Sequence, residues 1–165
     1  MLVEVTTRHT RPLYRVKQWI YRGGRPSGIA RALNAFWARQ YARGRMARER
    51  DVTLEVPGRS SGKLITFPVV MADYQGEWYL VSMLGENANW VRNVRAAGGR
   101  AVIRHRRAHE VGLHEIPVAQ RAPILKRYIQ VAPGARPHVP VDRDAPIEAF
   151  ERVAPDFPAF KVVGM

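Results

Sequence analysis

The stretch that most constrains this chain is a turn set between two strand patterns. Val52, Leu54 and Val56 alternate with Thr53 and Glu55, the period of a half-buried strand. Residues 64–72 form a second apolar run. Between them stands Val56-Pro57-Gly58-Arg59-Ser60-Ser61-Gly62-Lys63, a glycine-bracketed turn carrying two hydroxyls and two cations. A chain that enters such a turn from one strand and leaves by another presents backbone N–H groups, hydroxyls and positive charge at one point. That combination suits an anionic ligand, because turn amides make a concave set of donors and Arg and Lys add charge. A polar hairpin loop that is merely basic has the same composition, since Gly and Ser are the commonest turn residues. The phosphate loop of nucleotide triphosphatases is excluded. Gly58 and Gly62 are separated by three residues instead of four, Leu64 follows Lys63, and a strand pattern comes next in place of a helix.

The rest of the chain extends the antiparallel pattern. Residues 73–76 read as a turn and 77–83 as a third strand, which makes a hairpin. Pro68 removes a ladder donor from the second strand and so marks an edge, a bulge or a ligand-facing position. A loop over 84–89 leads into a short helix over 89–97, with Asn89 as its expected cap and Trp90, Val91 and Val94 on its buried side. Gly98-Gly99 closes that helix. Strands are expected over 100–105 and 108–116, then a helix from Pro117 to about 131. A proline-rich loop over 132–141, a short helix over 146–153 and a last strand over 157–163 complete the chain. Upstream, residues 12–21 have helical spacing, and Ser27 can cap a second helix whose apolar face is Ile29, Leu33, Phe36, Trp37 and Tyr41. Five or six mostly antiparallel strands with no βαβ alternation define an α+β domain built on a small barrel. The expected organisation is one domain: a basic helical extension over 1–50 and a barrel core over 51–165.

Composition narrows the function classes. A chain of 165 residues, 46% apolar and 25% charged, supports one globular domain. It has no cysteine, which removes disulfides, thiolate metal sites and a cysteine nucleophile, and is compatible with a reducing cytoplasm. No secretory signal is expected at the N-terminus, and no apolar run approaches the length of a membrane span. The net charge is +13, and residues 1–50 hold twelve arginines and lysines against only Glu4 and Glu49. Such a field attracts nucleic acid, an anionic membrane face or a highly charged cofactor. A high-GC genome produces the same excess of Arg, Ala, Gly and Pro with no function behind it.

Several common sites are not encoded. His109-Glu110 and His114 resemble a zinc-protease motif, but the histidines are five residues apart in a strand pattern and point to opposite faces. No metal site is expected. Ser60 and Ser61 lack a base and a nucleophile elbow, and no pair of catalytic carboxylates emerges. No catalytic side chain is therefore assigned, and if the chain is an enzyme, a bound cofactor carries the chemistry.

A Gly-Arg-x-Ser-Gly turn, a strand holding a proline, then Ser-x-x-Gly and Trp-x-x-Asn on a helix occur in this order. The pieces are Gly58-Arg59-Ser60-Ser61-Gly62-Lys63, Phe67-Pro68-Val69-Val70, Ser82-Met83-Leu84-Gly85 and Trp90-Val91-Arg92-Asn93. In this the chain resembles the deazaflavin-dependent nitroreductase and quinone reductase family, actinobacterial and related proteins of the split β-barrel type that use coenzyme F420. The resemblance covers residues 50–115 well and the remainder loosely. It implies that Gly58, Arg59, Ser60, Ser61, Gly62 and Lys63 bind the phosphodiester and polyglutamate tail. Pro68, Val69 and Val70, with Ser82, Met83, Leu84 and Gly85, would line the deazaflavin ring. Trp90 and Asn93 would wall the phosphate side, and Tyr128 falls where relatives place a substrate-side aromatic residue. Many relatives have a basic residue in place of Ile65 and a lysine in place of Ser60, and the loop before Trp90 is longer in the nitroreductases proper. Fewer cations at the turn would weaken tail binding unless the N-terminal arginines compensate.

The resulting expectation is an F420H2-dependent reductase of a quinone, enone or nitro compound, with FMN as the alternative cofactor. A different class remains beside it: a non-enzymatic split barrel that carries a fatty acid or other lipid at a membrane surface. Nucleic-acid binding rests on charge alone and is not expected. The cytoplasm is the expected location, with the basic N-terminal helices offering contact to an anionic membrane face, and the oligomeric state is open.

Overall fold

Alternation along each strand closes six strands into a barrel. The computed structural model describes residues 50–165, so the two basic helices expected over 12–21 and from Ser27 lie outside the described residues. The strands are β1 (Asp51–Pro57), β2 (Leu64–Tyr74), β3 (Glu77–Val81), β4 (Arg100–His105), β5 (Arg107–Glu115) and β6 (Ala159–Val163). They close in the order β1-β2-β3-β6-β5-β4, and every neighbouring pair is antiparallel. Val52, Leu54 and Val56 of β1, Met71 of β2, Leu80 of β3, Ile103 of β4, Leu113 of β5 and Phe160 of β6 share one inner core. Closure leaves no free edge around most of the ring, which is how small antiparallel barrels avoid open strands.

Three α-helices occur among the described residues: α1 (Asn89–Ala96), α2 (Val118–Val131) and α3 (Ile147–Val153). Val91 and Val94 of α1 join the inner core, so α1 plugs one end of the barrel. Residues of the opposite parity, Val70, Ala72, Tyr79, Val81 and Ala159, face outward and form a second core with Leu125, Tyr128 and Ile129 of α2 and Phe150 of α3. The alternation therefore serves two cores at once, with inner residues filling the barrel and outer ones seating α2.

Two local expectations are corrected. Asn89 is not the cap of α1: Ala88 holds that position without a side-chain hydrogen bond, and Asn89 is the first helical residue. Within the proline-rich segment expected to be loop, Pro133–His138 winds into a 3-10 helix that buries Ala135. A 3-10 turn tolerates proline early, where a missing N–H costs nothing.

Two ion-pair groups tie the outer layers to the barrel. Asp73, at the end of β2, accepts from Arg127 of α2 at 2.9 and 3.0 Å and also pairs with Arg50. Burial raises the Asp73 carboxyl's pKa, but the Arg127 and Arg50 hydrogen bonds outweigh it and hold the group below its ordinary value. Glu115, at the end of β5, accepts from Arg95 of α1 at 2.6 and 2.9 Å and from Arg121 of α2 at 3.1 Å. The Arg95 bonds lower the Glu115 pKa against the opposing effect of burial. A carboxylate with a depressed folded pKa stabilises the fold above its unfolded pKa, and that contribution is lost as pH falls through the folded value. Stability should therefore be level from neutral pH down to about pH 5 and decline below about pH 4. Urea unfolding followed across that range tests this. Asp73→Asn should flatten the acid decline, and an unchanged decline would remove Asp73 from the cause.

Candidate cofactor site

Topology alone gathers the predicted residues. β1 ends where β2 begins, and the same rim holds the end of β3, the start of β6 and the end of β5. The 58–63 turn, the 82–88 loop and the start of α1 therefore meet at one end of the barrel.

The turn is built from its own polar groups. Gly58 N–H donates to Lys63 O and Gly62 N–H to Gly58 O, each at 2.8 Å, and Lys63 N–H donates to Ser61 Oγ at 3.2 Å. Gly62 has φ +63°, a conformation that favours glycine. Arg59 N–H donates to Asn93 Oδ1 at 3.2 Å. Four of the turn's amides are thus committed internally or to α1, and those of Ser60 and Ser61 remain. The concave donor set is narrower than the sequence pattern suggests. The exposed Ser60 hydroxyl and Lys63 ammonium have no partner among the described residues.

Arg59 lies against α1. Its Nη1 donates to Asn93 Oδ1 at 3.0 Å and its Nη2 to Asn89 Oδ1 at 3.5 Å. Asn93 is buried, 2% exposed, although it is polar, because its oxygen serves Arg59 twice. Trp90 is half-buried, its ring 6.2 Å from Phe67 of β2 and 5.4 Å from Phe160 of β6. The aromatic contacts span the rim between the two strands.

Beside the turn the barrel is split. β2 pairs with β1 along residues 64–70, but its pairing with β3 begins only at Met71 opposite Leu80. Met71 N–H donates to Arg50 O on the β1 side. Alternation then aims the backbone groups of Thr66 and Pro68, and the N–H of Val70, away from β1, toward the unpaired side. Pro68 sits where its missing N–H breaks no bond to β1, which explains a proline inside an eleven-residue strand. The 82–85 loop follows β3 at the same level. Ser82 is fully buried; its Oγ donates to Gly85 O at 2.8 Å, and Gly85 N–H donates to Ser82 O at 3.1 Å. Leu84 projects from this loop, 59% exposed, and Met83 is half-buried against the outer core.

The sequence-predicted residues thus fall into two groups. The turn residues, Pro68 to Val70, Ser82 to Gly85, Trp90 and Asn93 surround one end of the split. Tyr128 instead lies inside the outer core, 5% exposed, and burial pushes its phenol pKa up. Sequence reasoning missed Asn89 as an Arg59 partner and Phe67 as the ring beside Trp90. The i, i+4 spacing of Asn89 and Asn93 was the available signal. His109 and His114 both lie on β5, and no group of His, Asp or Glu able to hold a metal occurs among the described residues.

The described residues thus form a six-stranded antiparallel barrel, split at one rim beside a basic turn. The family model for F420H(2)-dependent quinone reductase matches residues 30–151, and the chain belongs to that family. Membership implies coenzyme F420 and a quinone acceptor. Among solved structures, a protein of unknown function, Atu2129 from Agrobacterium tumefaciens str. C58, is 13% identical, with a TM-score of 0.51 over 70% of this chain and 49% of that one. A structure described as a domain-swapped dimer is 15% identical, with a TM-score of 0.50 over 78% of this chain and 98% of that one. The F420-H2 dependent reductase FDR-A is 18% identical, with a TM-score of 0.49 over 69% of this chain and 94% of that one. No curated protein matches the chain by sequence. Among the described residues no helix is long and apolar enough to cross a membrane.

Proposed function

We propose that the split beside the 58–63 turn binds F420 and that this chain reduces a quinone, or an enone or nitro compound of similar electron demand, at the mouth of that split. The observation that carries the reading is the meeting of Arg59, held on α1, with the unpaired side of β2 at one rim. The residues fit the group. Arg59, Lys63, the Ser60 hydroxyl and the remaining turn amides suit a phosphodiester and an acidic tail, with Gly58 and Gly62 shaping the turn. The outward carbonyl of Pro68 and the N–H of Val70 can bond a planar heterocycle edge-on. Val69, Ser82, Met83, Leu84 and Gly85 shape that part of the rim, and Trp90 and Asn93 close the phosphate side.

When bound, reduced F420 supplies a hydride. The chain's part is orientation and exclusion of water: fixed backbone groups hold the ring's edge, and the apolar Leu84 and Met83 keep the adjoining surface dry. No side chain needs to act as nucleophile. Tyr128 supports β2 from the outer core in this reading and does not meet the acceptor. The basic N-terminal segment remains the part suited to an anionic membrane face, and its support is its charge in the sequence.

Fluorescence titration with F420, alongside FMN and at two salt concentrations, tests the assignment. Saturable F420 binding that weakens with salt is expected, with FMN weaker. Arg59→Ala should lower F420 affinity by about 1.5–3 kcal/mol, the value of a charge-assisted bond. Unchanged affinity in a folded variant would remove Arg59 from the site, and absence of F420 binding by the native chain would overturn the cofactor assignment.

A further inference from the structure

Arg59 stands on an exposed turn, yet three hydrogen bonds restrain it. Its backbone N–H and Nη1 converge on one oxygen, Asn93 Oδ1, and Nη2 reaches Asn89 Oδ1. Both acceptors lie on one face of α1, a single helical turn apart. The placement is electrostatically unfavourable by itself. The first-turn N–H groups of α1 have no side-chain cap, and they form the positive end of the helix dipole. A guanidinium held against that end repels it, and an anion bound to both relieves the repulsion. The acceptors are amides, which fix a cation without neutralising it. A carboxylate at position 93 would give a stronger contact and leave less charge for a ligand.

We propose that Asn93, with Asn89 as a second and weaker point of contact, is a positioning residue. It locks Arg59 in the orientation that meets the phosphodiester and leaves its charge available. The inference rests on the reading of the 58–63 turn as the phosphate side of the F420 site.

Asn93→Ala, Asn93→Asp, Arg59→Ala and the double variant Arg59→Ala/Asn93→Ala are titrated with F420 in the full chain. Arg59→Ala should weaken binding about ten- to a hundredfold. Asn93→Ala should weaken it about five- to tenfold, with the double variant no weaker than Arg59→Ala alone within about twofold, because residues acting through one group are not additive. Asn93→Asp should also weaken binding while keeping Arg59 in place. A second readout needs no cofactor: nitrogen-15 relaxation of the Arg59 Nε–H should report a rigid side chain in the native protein and in Asn93→Asp, and a mobile one in Asn93→Ala. Should Asn93→Ala fail to fold, Asn93→Ser, whose hydroxyl is too short to reach Arg59, takes its place. An additive loss in the double variant, unchanged affinity in Asn93→Ala, or equal mobility of Arg59 in the native protein and Asn93→Ala overturns the proposal while the cofactor reading stands. Failure of the native chain to bind F420 overturns the cofactor reading and this role with it.

Discussion

Phe160→Ala is expected to destabilise the protein by about 3–5 kcal/mol, the usual cost of emptying an aromatic site in a packed core. For a chain of this size that corresponds to a fall in thermal midpoint of roughly 10–15 °C. Phe160 is 1% exposed and points into the barrel from β6, opposite Leu80 of β3 and Glu115 of β5. The ring also supports Trp90, 5.4 Å away, which in turn lies 6.2 Å from Phe67. Removing it leaves a void that backbone hydrogen bonds on both sides of β6 prevent from collapsing. Trp90 then loses one of its two aromatic neighbours among the described residues, so tryptophan emission should shift even below the unfolding transition. Val163→Ala serves as the comparison, on the same strand but 41% exposed, and should change stability by less than about 0.5 kcal/mol. A midpoint for Phe160→Ala within a few degrees of the native value would mean that the inner core is not packed around this ring.

The parts of this fold legible in the sequence are those with a local cause. Period-two alternation placed β1, the apolar run over 64–72 placed β2, and the short turns between strand patterns carried the decision for an antiparallel barrel. The closing glycines of α1 were legible for the same reason, since a left-handed residue after a helix has a known residue preference. What could not be read was decided at a distance. Asn89 has the chemistry of a cap, but Arg59, thirty residues earlier, takes its oxygen instead. The open side of β2 depends on where β3 stops pairing, a matter of register that no residue type announces. Pro68 was the only local sign of it. Tyr128 shows the converse: the pattern marked it as apolar and helical, while a substrate-side position came only from the resemblance, and its burial puts it behind β2.

Gly99→Ala should cost about 2–5 kcal/mol, more than its neighbour, and it tests how α1 is fixed to the barrel. Gly98 N–H donates to Arg95 O at 3.1 Å and Gly99 N–H to Val94 O at 2.9 Å, the pair of bonds that ends a helix through left-handed residues. Leu113 N–H then donates to Gly99 O at 2.7 Å, which ties this end of α1 to β5. Both glycines have positive φ, +63° and +80°, so any side chain costs about 1–2 kcal/mol at either. Space separates them. A Cβ on Gly98 would meet nothing within 4 Å, whereas one on Gly99 would lie 2.6 Å from Leu113 O, a backbone atom of a paired strand. Relief would require α1 or β5 to move, at a further cost of about 1–3 kcal/mol. Movement of α1 would carry Asn89, Trp90 and Asn93 with it. Gly99→Ala should therefore also weaken F420 binding at temperatures where the variant is still folded, and Gly98→Ala should leave it nearly unchanged. Urea unfolding of both variants, with F420 titration of each, separates the effects. Equal stabilities would show that close approach to β5 contributes nothing beyond backbone strain, and a destabilised Gly99→Ala with native affinity would show that the site does not depend on where α1 is anchored.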